Sequence, residues 1–117
     1  MQVGFVGLGA MGMPMTAQLA ARFPGAVTVF DPSADAIAAA VSDFGVEAAG
    51  SIAEVAAKAD VLFTCVPNND AVRAVYLGVD GVVSTIRAGT ITIDCSTVGP
   101  DATRDVYAGL KAVSAQH

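Results

Sequence analysis

Short apolar runs alternate along this chain with stretches in which apolar residues recur at helical spacing. That alternation is typical of successive strand–helix–strand units, which form a parallel sheet with helices on both faces. We therefore expect an α/β domain with three layers and a doubly wound parallel sheet, its strands in the spatial order 3-2-1-4-5. The predicted strands are 2–6, 26–30, 46–49, 61–66 and 90–94.

The segments between these strands carry the start signals of helices. Ser33 is predicted to cap the second helix, and the capping-box pattern Ser-x-x-Glu at 51–54 begins the third. Asn69 or Asp70 is predicted to cap the fourth, and Pro100 fits the first position of the fifth. The chain ends after that helix, where such a sheet normally adds a sixth strand, so the domain, residues 1–117, is expected to be truncated.

The amino-acid composition argues against several classes of protein and against some binding partners. A content of 54% hydrophobic and 15% charged residues in 117 suits one globular domain, and a net charge of −5 argues against nucleic-acid binding. Glycines and Pro14 interrupt the apolar start, so neither a signal peptide nor a membrane span is predicted. Cys65 and Cys95 form no CxxC motif and are predicted to be reduced thiols that pack in the core of a cytoplasmic protein, and no metal site is expected.

The strongest functional signal is the segment 7–12, Gly-Leu-Gly-Ala-Met-Gly, which lies between the first strand and its helix. Gly7 is predicted to permit a tight turn out of the strand, and Gly12 to permit close packing of the helix on the sheet. Gly9 would let a pyrophosphate approach the backbone. The pattern in this context indicates a dinucleotide-binding domain of the Rossmann type.

Two further features of this region bear on the choice of cofactor. Free N–H groups around Ala10 and Met11 would face the phosphates at the positive end of the helix dipole. Asp31, nineteen positions after the last glycine, would accept hydrogen bonds from the adenosine ribose and repel a 2′-phosphate, and Pro32 and Ser33 supply no arginine beside it. NAD is therefore predicted, with NADP less favoured. The alternative is that the glycines form a structural turn and Asp31 caps a helix.

Two loops, 65–69 and 94–100, follow the fourth and fifth strands. Ligands bind at the carboxyl ends of strands in open α/β sheets, so both loops would flank the nicotinamide half of a dinucleotide. Alternatively, their Asn, Asp, Ser and Thr side chains only cap helices and satisfy turns.

Three segments, 5–15 with Leu19 beyond it, Val66-Pro67 and 94–100, resemble in their order the motifs of the β-hydroxyacid dehydrogenases, which belong to the 6-phosphogluconate dehydrogenase superfamily. The resemblance covers the whole chain and is nearest to 3-hydroxyisobutyrate dehydrogenases. It implies that Ser96 lies near a substrate carboxylate. The candidate cofactor-binding residues, from the glycine motif and the resemblance together, are Gly7, Leu8, Gly9, Ala10, Met11, Gly12, Asp31, Pro32, Val66, Pro67 and Thr97.

The resemblance also implies an activity for a longer parent protein: hydride transfer from a small 3-hydroxy acid to NAD. Members of the family place a general acid/base lysine and a helical domain further along, so no catalytic residue is expected in this chain. Lys58 and Lys111 are predicted to be solvated, and His117 has no partner to tune it. We expect cofactor binding without turnover, and we expect the exposed fifth strand to associate with a second copy or to be covered by another chain. A homo-oligomer is also expected. The alternatives are a non-catalytic sensor or assembly module, and an NADPH-dependent imine or glyoxylate reductase.

Overall fold

The computed structural model describes residues 1–96, 99–113 and 115 of the chain. Within these residues the strands form one sheet, and neighbouring strands pair in parallel because a helix-containing crossover separates consecutive strands. The strands are β1 Val3–Val6, β2 Val27–Phe30, β3 Glu47–Ala48, β4 Val61–Thr64 and β5 Ile91–Asp94.

The spatial order of the strands is β3-β2-β1-β4-β5, which confirms the predicted order. The winding direction changes between β1 and β4, and in open α/β sheets that position opens a crevice at the carboxyl ends of the strands. The helices are α1 Gly12–Arg22, α2 Ala34–Phe44, α3 Ile52–Lys58, α4 Asn69–Leu77 and α5 Pro100–Ala112, with a short 3₁₀ turn at Val82–Ser84.

A separate apolar core lies on each face of the sheet. Val55 and Leu62 are fully buried in the core beneath α3, α4 and α5. On the other face, Phe5, Val29 and Ala40 are fully buried in the core beneath α1 and α2. The three-layer, doubly wound α/β fold of the Rossmann type is thereby confirmed.

Each strand is one residue shorter than predicted, except two strands that are shorter by two residues. β4 ends at Thr64, although the run continues to Val66, because the Val66 N–H donates to Ser96 Oγ at 2.7 Å instead of extending the ladder. β3 is reduced to Glu47–Ala48, since only two residues pair with β2. The end of β4 therefore depends on a side-chain hydrogen bond that hydrophobicity does not report.

Most helix caps follow the prediction. Ser33 caps α2 by accepting from the Ala36 N–H, and Ser51 caps α3. The expected caps of α4, Asn69 and Asp70, are wrong by one or two positions, because the residue before them, Asn68, accepts the capping hydrogen bond.

One part of the sheet surface stays uncovered. β5 is an edge strand, and Ile91 and Ile93 are 43% and 41% exposed on it.

In the described ranges, no helix has the length and apolar character to cross a membrane. The same residues hold no cluster of three or more side chains suited to a metal ion.

Candidate functional site

A cavity of about 780 Å³ opens at the carboxyl edge of the sheet. Its walls come from the ends of β1 and β2, the glycine segment, the residues after β4 and one side of α4. This volume lies within the range of small-molecule and cofactor sites. The lining residues are Val6, Gly7, Gly9, Ala10, Met11, Gly12, Phe30, Asp31, Pro32, Ile52, Cys65, Val66, Pro67, Ala71, Ala74 and Val75.

The three glycines of the segment 7–12 have different steric roles. Gly7 has φ +105°, and a Cβ there would lie 2.0 Å from the Cys65 carbonyl oxygen. A Cβ on Gly12 would lie 1.8 Å from the Gly7 carbonyl oxygen, so the tight turn predicted at Gly7 and the close packing predicted at Gly12 are confirmed. A Cβ on Gly9 would meet nothing within 4 Å. The fold itself therefore requires glycine at the first and last positions, whereas the middle one leaves space in the cavity.

The start of α1 differs from the starts of α2, α3 and α4. Those helices are capped by the side chains of Ser33, Ser51 and Asn68, but Met11, at the N-cap of α1, makes no side-chain cap hydrogen bond. Met11 is also 61% exposed and lines the cavity. The positive end of α1 therefore faces the cavity without a polar side chain to satisfy it.

Asp31 also lines the cavity, and two backbone amides hold its carboxylate in place. Oδ2 accepts from the Leu8 N–H and Oδ1 from the Ser33 N–H, both at 2.8 Å. The alternative that Asp31 caps a helix is wrong, because Ser33 is the cap of α2. Each carboxylate oxygen can accept a further hydrogen bond, so the group remains able to bind a hydroxyl.

Leu8 occupies a different place from the other predicted contact residues that the structure describes. Its side chain is only 4% exposed and belongs to the core beneath α1 and α2. Its N–H already donates to Asp31. In this structure Leu8 therefore supports the site by positioning the carboxylate.

A chain of hydrogen bonds joins the ends of β4 and β5. The buried Thr64 hydroxyl lies 2.8 Å from the Tyr76 hydroxyl and donates to Asp94 Oδ1 at 3.0 Å. Asp94 Oδ1 also accepts from the Ser96 N–H, and Ser96 Oγ accepts from the Val66 N–H. Burial raises the pKa of Tyr76 strongly, which keeps its hydroxyl protonated.

Val66 and Pro67, next to this chain of hydrogen bonds, line the cavity, and their contact with the cofactor stays a prediction. Ser96 is held behind them, with its hydroxyl oxygen bonded to the Val66 amide. Thr97, the remaining predicted contact residue, lies outside the described residues, as does His117.

Sequence reasoning missed one apolar wall of the cavity. Phe30, Ile52, Ala71, Ala74 and Val75 form this wall. The available signal was the spacing of Ala71 and Ala74, because residues three apart on a helix share a face and alanine leaves room for a ligand. Without knowledge of which face of α4 meets the crevice, that spacing only indicates close packing.

The two lysines lie on the surface, as predicted: Lys58 is exposed and 3.9 Å from Glu54, and Lys111 is exposed.

The prediction for the cysteines was only partly correct. Both are free thiols and half-buried, and Cys65 packs against the core beneath α1 and α2 while it also lines the cavity. Burial raises the pKa of both thiols, and the Asp94 carboxylate raises it further.

An open parallel sheet, a glycine turn, an uncapped helix start and a fixed carboxylate after β2 together define a dinucleotide-binding Rossmann domain. Comparison with known proteins agrees with this class. The chain belongs to the family described as the NAD binding domain of 6-phosphogluconate dehydrogenase, whose family model matches residues 2–117.

Similar proteins include several hydroxy-acid dehydrogenases. The chain is 41% identical over 104 residues to 2-(hydroxymethyl)glutarate dehydrogenase of Eubacterium barkeri, covering 87% of this chain and 33% of that protein. It is 39% identical over 104 residues to a probable mitochondrial 3-hydroxyisobutyrate dehydrogenase of Dictyostelium discoideum, covering 89% and 32%. The solved 3-hydroxyisobutyrate dehydrogenase of Mycobacterium tuberculosis superposes with a TM-score of 0.89 at 34% identity, covering 98% and 38%. The chain therefore spans about a third of the length of these relatives.

Proposed function

We propose that this chain binds NAD, with the pyrophosphate at the start of α1 and the adenosine ribose at Asp31. The observation that carries the proposal is the space at Gly9 beside a helix start that no side chain caps. Backbone N–H groups at a helix N-terminus bind phosphate without basic side chains, which suits a chain of net charge −5.

The residues around the cavity suggest how each part of the cofactor is held. Gly7, Gly9, Ala10, Met11 and Gly12 would surround the pyrophosphate. The adenine would pack on the apolar wall, and Asp31 with Pro32 would contact the ribose. The nicotinamide would reach Val66, Pro67 and Thr97 at the ends of β4 and β5.

We further propose a preference for NAD over NADP. Two amides hold the Asp31 carboxylate in place, so it would meet a 2′-phosphate as a fixed negative charge. No arginine or lysine follows it at positions 32 and 33 to offset that repulsion.

For the longer protein we propose NAD-dependent oxidation of a small 3-hydroxy acid. The relatives named above are dehydrogenases of 2-(hydroxymethyl)glutarate and 3-hydroxyisobutyrate. When bound, NAD supplies the hydride-accepting chemistry, and this domain binds and orients it. Ser96, held at the edge of the site, would lie near the substrate carboxylate. We expect such a protein to be a cytoplasmic homo-oligomer.

Replacing Gly9 tests the cofactor site directly. Gly9→Ala adds a methyl group where the fold has open space, so the protein should fold normally while the methyl group blocks the pyrophosphate. We expect NAD affinity measured by calorimetry to fall about tenfold or more, which corresponds to about 1.4 kcal/mol.

The matched control is Gly50→Ala, which adds a methyl group 3.3 Å from the flexible Glu54 carboxylate, outside the cavity. This variant should bind NAD as the wild type does. Equal affinity in wild type and Gly9→Ala would contradict the proposed site, and no NAD binding by the wild type would contradict the function.

A turnover assay tests whether this domain by itself can catalyse the reaction proposed for the longer protein. We expect the 117-residue chain to bind NAD yet show no NADH formation with 3-hydroxyisobutyrate, because the two described lysines face solvent away from the cavity. NADH absorbance above the no-enzyme rate would place a catalytic group within this chain.

A further inference from the structure

Cys65 and Cys95 directly follow the last residues of two neighbouring strands. The register of β4 and β5 pairs Thr64 with Asp94 as its last positions. The Cys95 N–H completes that last pair by donating to the Thr64 carbonyl oxygen at 2.8 Å. Cys65 and Cys95 directly follow the last pair, and the same register would pair them next.

The two thiols also point to the same face of the sheet. The side chains of Thr64 and Asp94 are hydrogen-bonded to each other on the α4 face. Since successive residues of a strand alternate between faces, both cysteines project to the opposite face. Cys65 packs there against the core beneath α1 and α2, which agrees with this assignment.

The spacing of facing residues suits a covalent bridge. Neighbouring strands lie about 4.7–4.9 Å apart. Disulfide-bonded cysteines have Cα atoms about 4.4–6.8 Å apart. The hydrogen bond from Val66 to Ser96 ties the two chain segments together just beyond the cysteines, so the segments cannot separate freely.

We propose that Cys65 and Cys95 form a redox-sensitive dithiol that a small disulfide, such as oxidised glutathione, converts into an intramolecular disulfide. We also propose that bound NAD protects this dithiol, a coupling that rests on the proposed function. Cys65 lines the cavity, and its carbonyl oxygen lies where a side chain at Gly7 would be. A dinucleotide in the cavity would therefore contact Cys65 and restrict the approach of a small disulfide to it.

The chemistry is two consecutive thiol–disulfide exchanges. The thiolate of one cysteine attacks a sulfur of oxidised glutathione, which forms a mixed disulfide and releases one glutathione thiolate. The thiolate of the second cysteine then attacks the protein sulfur of that mixed disulfide and releases the second glutathione. Two protein thiols are oxidised, one small disulfide is reduced to two thiols, and the two protons pass to the departing thiolates.

Mass spectrometry after treatment with oxidised glutathione tests the bridge without any need for NAD. The wild type should lose two hydrogen atoms and both reactive thiols, with no glutathione retained. The control Cys95→Ser should instead retain one glutathione on Cys65. Since burial raises the pKa of both thiols, bridging should be faster at pH 9 than at pH 7. Wild-type chains that carry two glutathiones, or that cross-link to each other, would overturn the bridge.

A second measurement tests the coupling to the cofactor. At an NAD concentration ten times the Kd found by calorimetry, bridging should be about tenfold slower, because only the unliganded fraction reacts. An unchanged rate in protein shown to be saturated with NAD would overturn the coupling. Failure of NAD to bind would show in the calorimetry and would leave the mass measurement of the bridge intact.

Discussion

At the scale of single residues, Asp31 combines a structural and a binding role. Its carboxylate links the glycine segment to the loop before α2 through the amides of Leu8 and Ser33. The same group is proposed to hold the adenosine ribose. Its position in the sequence predicted the second role, but the bond to Leu8, twenty-three residues away, becomes visible only when β1 and β2 lie side by side.

Asp31→Asn tests the binding role because it removes the negative charge. It also replaces one carboxylate oxygen, which accepts a hydrogen bond from a backbone amide, with an NH₂ group. Hydrogen bonds to charged groups contribute about 1.5–3 kcal/mol, so NAD affinity should fall about tenfold or more. NADP affinity should fall less, since repulsion of its 2′-phosphate is also relieved. Calorimetry with both cofactors measures the two changes.

The control for this experiment is Asp35→Asn, an equal change of charge at an exposed position in the first turn of α2. It should leave the ratio of NAD to NADP affinity unchanged. The same ratio in wild type and Asp31→Asn would contradict the assigned basis of the NAD preference.

At the scale of elements, the chain of hydrogen bonds from Tyr76 to Val66 joins α4, β4 and β5 at the cavity. Thr64 is its centre, because its fully buried hydroxyl contacts both Tyr76 and Asp94. The sequence showed a threonine inside an apolar strand, which is compatible with burial, but its two partners come from separate elements. Buried polar groups need such partners, so these contacts also fix the relative positions of the elements.

Thr64→Val tests this element-level role with almost no change in shape. The Tyr76 hydroxyl and the Asp94 carboxylate each lose a partner, so the free energy of unfolding should fall by about 1–3 kcal/mol. Urea denaturation measures the change. The control is Thr103→Val on the exposed side of α5, where we expect a change within about 0.5 kcal/mol. Equal effects of the two substitutions would contradict the structural role of Thr64.

At the scale of the whole molecule, the two faces of the sheet are not covered equally. Helices α3, α4 and α5 cover one face of the sheet, whereas Ile91 and Ile93 on the opposite face of the edge strand remain exposed. An unpaired edge next to apolar side chains favours association with another chain. We therefore keep the expectation that the 117-residue chain self-associates.

Ile93→Lys tests this expectation by placing a charge on the exposed face. Light scattering at high concentration should show a lower average mass for this variant than for the wild type. Val79→Lys is the control, because Val79 is 95% exposed away from the sheet edge, and its substitution should leave the mass unchanged. A monomeric wild type would contradict the predicted self-association.

The sequence by itself determined the class of the fold, the strand order and the position of the glycine turn. These features depend on local periodicity and on a few residues, such as Gly7 and Gly12, whose steric requirements are short-range. Only the tertiary structure decided the cap of α4, the early end of β4, the apolar wall of the cavity and the positions of Cys65 and Cys95 after the last pair of β4 and β5. Each of these depends on which side chains from distant segments meet, and that follows from strand register and helix rotation, which hydrophobic periodicity does not specify.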